Sequence, residues 1–288
     1  MKASIFFLFY FLIASALAAT IAFPLFQAFG NDAYKFESWV TRSALLFLIL
    51  GLIPSIKYLK LSLDSIGHNV ATKSASKQIT IGFVIGLIIL SVVIASLLVL
   101  DVRVISTDIH LTFKLILKAL LAGIVVAFIE ETLFRGLFFT LTKKWHNATV
   151  AVLVSSFFYA SLHFIKPLEH IDQNLLTFSS GFEVIFNAFK AFPQLHLDDF
   201  FALFVVGVLL ALVRLRTQSL TYCIGLHASW VFLIKICKEL TDSNKTSDWA
   251  FLTGHYDGII GVMSFAWLAL LAIAYAYFII AVPRQPNH

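Results

Sequence analysis

Long uninterrupted apolar runs alternate with short polar ones along this chain, and they set its architecture before any single residue is weighed. A hydrocarbon layer takes about 17–25 apolar residues per helix. Runs of that kind lie at 5–29, 43–61, 79–100, 111–133, 148–164, 200–212, 220–236 and 259–282. The 200–212 run is short and needs its flanks or a tilt to span. The pattern predicts an all-α fold, a polytopic membrane helix bundle of about eight transmembrane helices. No Gly/Pro-rich linker or internal repeat divides it, so residues 1–288 are expected to form a single transmembrane domain.

The polar stretches between the runs orient the bundle. Lys57, Lys60, Lys73 and Lys77 face a single Asp64 after the second run, Lys143 and Lys144 follow the fourth, and Arg214 and Arg216 follow the sixth. The loop at 166–199 instead carries Lys166 and Lys190 against Glu169, Asp172, Glu183, Asp198 and Asp199. Positive charge alternates from loop to loop, as the positive-inside rule requires. With Lys2 and Arg284 at the ends, both the N and C termini are expected to be cytoplasmic. Ala16-Leu17-Ala18 has the form of a signal-peptide cleavage site, but the apolar run continues to Phe29, so an uncleaved span is expected. Within the 166–199 loop, Phe178, Phe182, Ile185, Phe186, Phe189 and Phe192 recur at helical spacing with Ser179, Glu183, Asn187 and Lys190 between them. That alternation predicts a helix lying in the membrane interface.

Composition agrees and excludes the soluble classes. Sixty per cent of the chain is apolar, 13% is charged, and the mean hydropathy is +0.91. Soluble domains carry roughly a quarter charged residues. A globule of this size could not hide 30 phenylalanines from water. The net charge of +5 includes no basic run, so no nucleic-acid partner is expected; membrane lipid is. The two cysteines, Cys223 and Cys237, sit fourteen positions apart on one apolar run. On a helix that separates them by roughly 21 Å, too far for a disulfide within the chain.

Ionisable residues inside a hydrocarbon layer cost about 2.5–3.5 kcal/mol each on insertion scales, so their positions point to chemistry. Glu130-Glu131-Thr132-Leu133-Phe134-Arg135 lies near the inner end of the fourth run. Glu131 and Arg135 are four apart with the acid first, the favoured order for a helical ion pair. Glu130 points about 100° further round the axis and needs water, a metal or a histidine instead. His163 closes the fifth run and His227 sits inside the seventh. Either histidine alone is as easily a structural residue. One glutamate and two histidines on three helices, however, fit two chemistries. Glu130 can act as a general base on water, or Glu130, His163 and His227 can ligate zinc with a position open for that water. No local metal motif such as HExxH separates the two.

Taken together, Glu130-Glu131-x-x-x-Arg135, a histidine closing an aromatic-rich span and another histidine in a later span resemble the CPBP family of intramembrane proteases, also called Abi. This family includes CAAX prenyl endopeptidases and bacteriocin-processing or immunity proteins. The matching core covers about 111–236. The resemblance implies an intramembrane endopeptidase in which Glu130, helped by His163, activates water, while His227 stabilises the oxyanion. Glu131 and Arg135 would hold the geometry. It implies no cofactor, zinc being the minority alternative, and a membrane-associated protein or peptide as substrate, in an integral membrane protein of a bacterial inner membrane. The sequence departs from the family at two positions. Tyr159 stands where the family has phenylalanine, four before His163, and Val231 stands where an asparagine follows the last histidine. Ser229, Tyr159 or backbone N–H groups are expected to replace that donor. The alternative is an immunity or scaffolding protein that keeps the fold without proteolysis.

Overall fold

The computed structural model describes residues 2–30, 34–167 and 170–282. Glu169 and Arg284, two of the charges weighed above, lie outside the described residues. The chain is an all-α membrane protein. Its helices are α1 (Lys2–Phe29), α2 (Phe36–Tyr58), α3 (Thr72–Val99), α4 (Phe113–Glu131), α5 (Phe139–Trp145), α6 (Ala148–His163), α7 (Ser180–Ala191), α8 (Leu197–Thr217), α9 (Thr221–Leu240) and α10 (Val262–Ala281). A π-helix, Thr132–Phe138, joins α4 to α5. One short antiparallel pair, β1 (Arg103–Ile105) with β2 (Thr241–Ser243), and two 3-10 turns, Phe192–Gln194 and Ala250–Leu252, complete the regular structure among the described residues.

Five described helices, α1, α2, α3, α8 and α10, are long and apolar enough to cross a membrane. The other expected spans correspond to α4, α6 and α9, and these carry Glu130 and Glu131, His163, and His227. Of these, α6 is short, at 16 residues, and α4 carries Lys114 and Lys118 besides its two acids. The short run at 200–212 gains its length from its flanks, since α8 covers 21 residues. The second helix starts at Phe36 rather than near 43. Its polar first turn is satisfied locally: Phe36 N donates to Gln173 Oε1 (2.8 Å) and Ile171 N donates to the buried Glu37 Oε1 (2.8 Å).

The chain forms two compact units, one of residues 1–62 and 161–195, the other of residues 63–160 and 196–288. In the first, α1 packs on α2 and α7. The α7 helix buries Ser180, Gly181, Val184, Ala188 and Ala191. Gly181 lies so close to the Ala19 carbonyl that a Cβ would approach it to 2.1 Å. Phe182 and Phe186 remain exposed on other faces of this helix. Small residues thus make the protein contact together with Val184 and Phe189, whose ring meets Phe11 of α1 edge-on.

In the second unit α9 lies between α3 and α4. Gly82 and Gly86 of α3 form a small-xxx-small pair, the spacing that lets membrane helices approach closely. Gly82 meets the Tyr222 carbonyl, Gly86 meets that of Leu226, and Gly225 meets that of Ile79. On the other side Gly123 of α4 meets the Ala228 carbonyl. Trp230 Nε1 donates to Gly86 O at 3.0 Å and locks the register. A Cβ on Gly225 would lie 2.2 Å from Ile79 O and 2.8 Å from Phe83 N, both backbone atoms that cannot rotate away. Gly225→Ala is therefore expected to destabilise the unit by about 1–3 kcal/mol through overpacking, despite the better helix propensity of alanine. The unfolding midpoint in detergent measures it, and an unchanged midpoint would refute this account of the packing.

Candidate active site

The last turn of α4 delivers Glu130 and Glu131 side by side, and the helix then widens into the π-helical stretch. All seven residues of that stretch are buried. π-helical turns are rare and concentrate at functional sites, because each loosens one turn of the backbone ladder. Here the loosened turn carries Arg135, which is fully buried together with Glu131.

Arg135 is fixed on three sides. Nη1 donates to Glu131 Oε1 at 3.0 Å, Nη2 donates to the Gly207 carbonyl of α8 at 3.3 Å, and the guanidinium lies 4.2 Å over the Tyr159 ring of α6. Gly207 also lies close against α6, where Ser156 Cβ would be only 2.8 Å from a Cβ at position 207. The ion pair expected from the spacing is present, and its carboxylate does more than the spacing revealed. Glu131 Oε1 also accepts from His227 Nδ1 at 2.8 Å.

His227 is nearly buried on α9, where its ring meets that of Tyr159 edge-on at 6.0 Å. With Nδ1 held by Glu131, its other nitrogen turns to the second acid: Nε2 lies 3.8 Å from Glu130 Oε2. The Glu130 side chain is 25% exposed, against none for Glu131. Two adjacent acids thus occupy different settings. Glu131 is locked between a cation and an imidazole, and Glu130 faces the more open side of the same imidazole.

Five of the expected residues, Glu130, Glu131, Arg135, Tyr159 and His227, come together in the second unit. His163 closes α6, four residues beyond Tyr159, half-buried, and is part of the first unit. Ser229 does not join the cluster. Its Oγ donates to Leu226 O at 2.7 Å and packs against Gly86 of α3, because two steps along a helix turn it away from His227. Val231, also on α9, brings an apolar side chain.

One residue not anticipated from sequence is Tyr256, in the loop before α10. Burial, and next the charge of Glu130, push its phenol above the ordinary range, so the hydroxyl stays protonated within reach of the Glu130 field. Nothing around position 256 marks it, since only the fold brings this loop to the end of α4.

The three-donor cluster of acids and imidazoles found among the described residues lies elsewhere, at Asp198, Asp199 and His255. Residues 112–233 match the family model described as type II CAAX prenyl endopeptidase Rce1-like, a stretch that holds every site residue expected from sequence. No curated protein and no solved structure shows a significant match to the chain.

Proposed function

We propose that the chain is an intramembrane endopeptidase of the CPBP type, which hydrolyses a peptide bond of a membrane-associated protein or peptide with Glu130-activated water; the match of residues 112–233 to the Rce1-like family model supports this reading. The observation that carries this reading is the buried imidazole of His227 set between two unlike carboxylates, at 2.8 and 3.8 Å. The longer distance exceeds a direct hydrogen bond but suits one oxygen atom shared by both groups. Glu130 takes a proton from water as its oxygen bonds to the scissile carbonyl carbon. When both ring nitrogens of His227 carry hydrogen, Nδ1–H is held by Glu131 and Nε2–H points to the side where the oxyanion forms. Collapse breaks the C–N bond, and the proton on Glu130 passes to the departing amine. Arg135 and Tyr159 position Glu131 and His227. The role of His163, assisting Glu130, rests on the family resemblance.

A panel of peptides in liposomes tests the reading: a prenylated C-terminal peptide, a leader peptide and a membrane-sorting tail, incubated with purified protein in ¹⁸O-labelled water. Cleavage of one class, with label in the new carboxyl group, is the expected result. Binding of a peptide without cleavage of any class would favour an immunity or scaffolding protein, the reading that Val231 in place of asparagine supports.

The donors also fit zinc. Glu130 and His227 Nε2 would be two of its ligands, and Glu131 on Nδ1 is the usual support for a ligating imidazole. Bound zinc would lower the pKa of its water to about 7. Activity is expected to survive chelation, in protein shown by metal analysis to be zinc-free. Loss on chelation with recovery on adding zinc would replace the glutamic mechanism by the metal one.

A further inference from the structure

We infer that the start of α8 and the loop before α10 build a second polar site, for a divalent cation of the zinc or manganese class, separate from the Glu130 cluster. Asp198 and Asp199 lie in the first turn of α8, and His255 lies in the loop. Each offers one ligand atom, and those atoms are within 4.8 Å of one another.

Asp199 is the telling member. Its side chain is buried at 1% exposure. One oxygen, Oδ2, accepts the backbone N–H groups of His255 (2.9 Å) and Tyr256 (3.0 Å). The other, Oδ1, is equally buried and has no hydrogen-bond partner among the described residues. Clasping the loop to α8 accounts for Oδ2 alone. It does not account for Oδ1, for a second acid at Asp198, or for an exposed imidazole held beside them. Buried carboxylate oxygens are met by donors or by a metal.

The surrounding groups favour a cation with mixed oxygen and nitrogen preference. The His196 ring, just before α8, stacks on that of His255 with centroids 3.9 Å apart and planes 13° from parallel. Two carboxylates and an imidazole suit zinc or manganese better than calcium, which takes six to eight oxygens. The neighbouring Asp257 is committed elsewhere, accepting from Ile259 N (2.9 Å) and Ile260 N (2.8 Å). Gly254 completes the fit: a Cβ there would lie 1.8 Å from Asp199 Oδ1, so any other residue would hold the loop away. A cation bridging His255 to the two acids would tie the loop to α8.

Titration of the full-length, chelator-stripped protein in detergent micelles with zinc, manganese and calcium chlorides tests this, with calorimetry for stoichiometry and the unfolding midpoint as a second readout. Zinc or manganese is expected to bind at about one per chain and raise the midpoint, as a ligand of the folded state must. Calcium is expected to bind more weakly. Asp198→Asn and His255→Ala, which change side chains that reach the surface, should each weaken binding by at least ~10-fold. Glu130→Gln should bind like the parent. Absence of binding would overturn the site, as would unchanged affinity in both Asp198→Asn and His255→Ala. Loss of binding in Glu130→Gln would place the metal in the hydrolytic cluster instead. Because the two sets of variants share no residue, absence of binding leaves the reading of Glu130 intact.

Discussion

Replacing Glu130 by glutamine is expected to lower peptide-bond cleavage by about 10²–10⁴-fold, the usual contribution of a general base, while the bundle stays folded. Glutamine has nearly the same shape but cannot accept the proton of an attacking water. The side chain is a quarter exposed, although its Oε2 atom is buried beside His227, so unfolding is measured with activity. Glu131→Gln is a useful contrast, because that carboxylate is fully buried and bonded to both Arg135 and His227. It should lower the unfolding midpoint as well as activity. Cleavage of the best peptide by purified variants, alongside unfolding in the same detergent, separates the two effects. Normal turnover by Glu130→Gln would remove Glu130 from the mechanism as its base. His227→Ala is expected to fall between, since the water and its base would remain while the oxyanion loses a donor.

The difference between these two adjacent acids was only half legible in the sequence. Spacing alone paired Glu131 with Arg135, and the apolar runs placed both inside a span. That pairing accounted for Glu131 so fully that its second partner, His227, left no trace. A contact between helices 96 residues apart in sequence has no local signature. Glu130 was correctly seen to point elsewhere, because a turn of about 100° per residue is fixed by helix geometry. The π-helical stretch was invisible for a different reason: a shift in backbone hydrogen bonding needs no change in residue type. Helix ends proved hardest to place where loops satisfy a polar first turn, as Gln173 does for α2. The Gly82–Gly86 spacing stands in the sequence, but it does not say which helix comes to meet it. Tyr256 and the Asp198–Asp199–His255 cluster were not, since they depend on where a loop returns.

The largest structural effect should follow from removing Arg135. Arg135→Met would leave the Glu131 carboxylate fully buried beside His227 without its cation, release the Gly207 carbonyl, and uncover the face of Tyr159. Breaking a buried ion pair from one side costs about 3–5 kcal/mol, because the abandoned charge stays desolvated. The double variant Arg135→Met/Glu131→Gln is expected to be more stable than Arg135→Met alone, since no unpaired charge remains. Arg135→Lys should recover part of the loss: it keeps the charge but lacks the fork that reaches Glu131 and Gly207 together. Unfolding free energies of the parent, Arg135→Met, Glu131→Gln and the double variant give the coupling energy. Additive single effects would show that the pair is incidental to the fold. A double variant that regains stability but not activity would mean that the ion pair is kept for the orientation it gives His227: glutamine can occupy the space of Glu131, but it offers the imidazole a neutral acceptor in place of an anion.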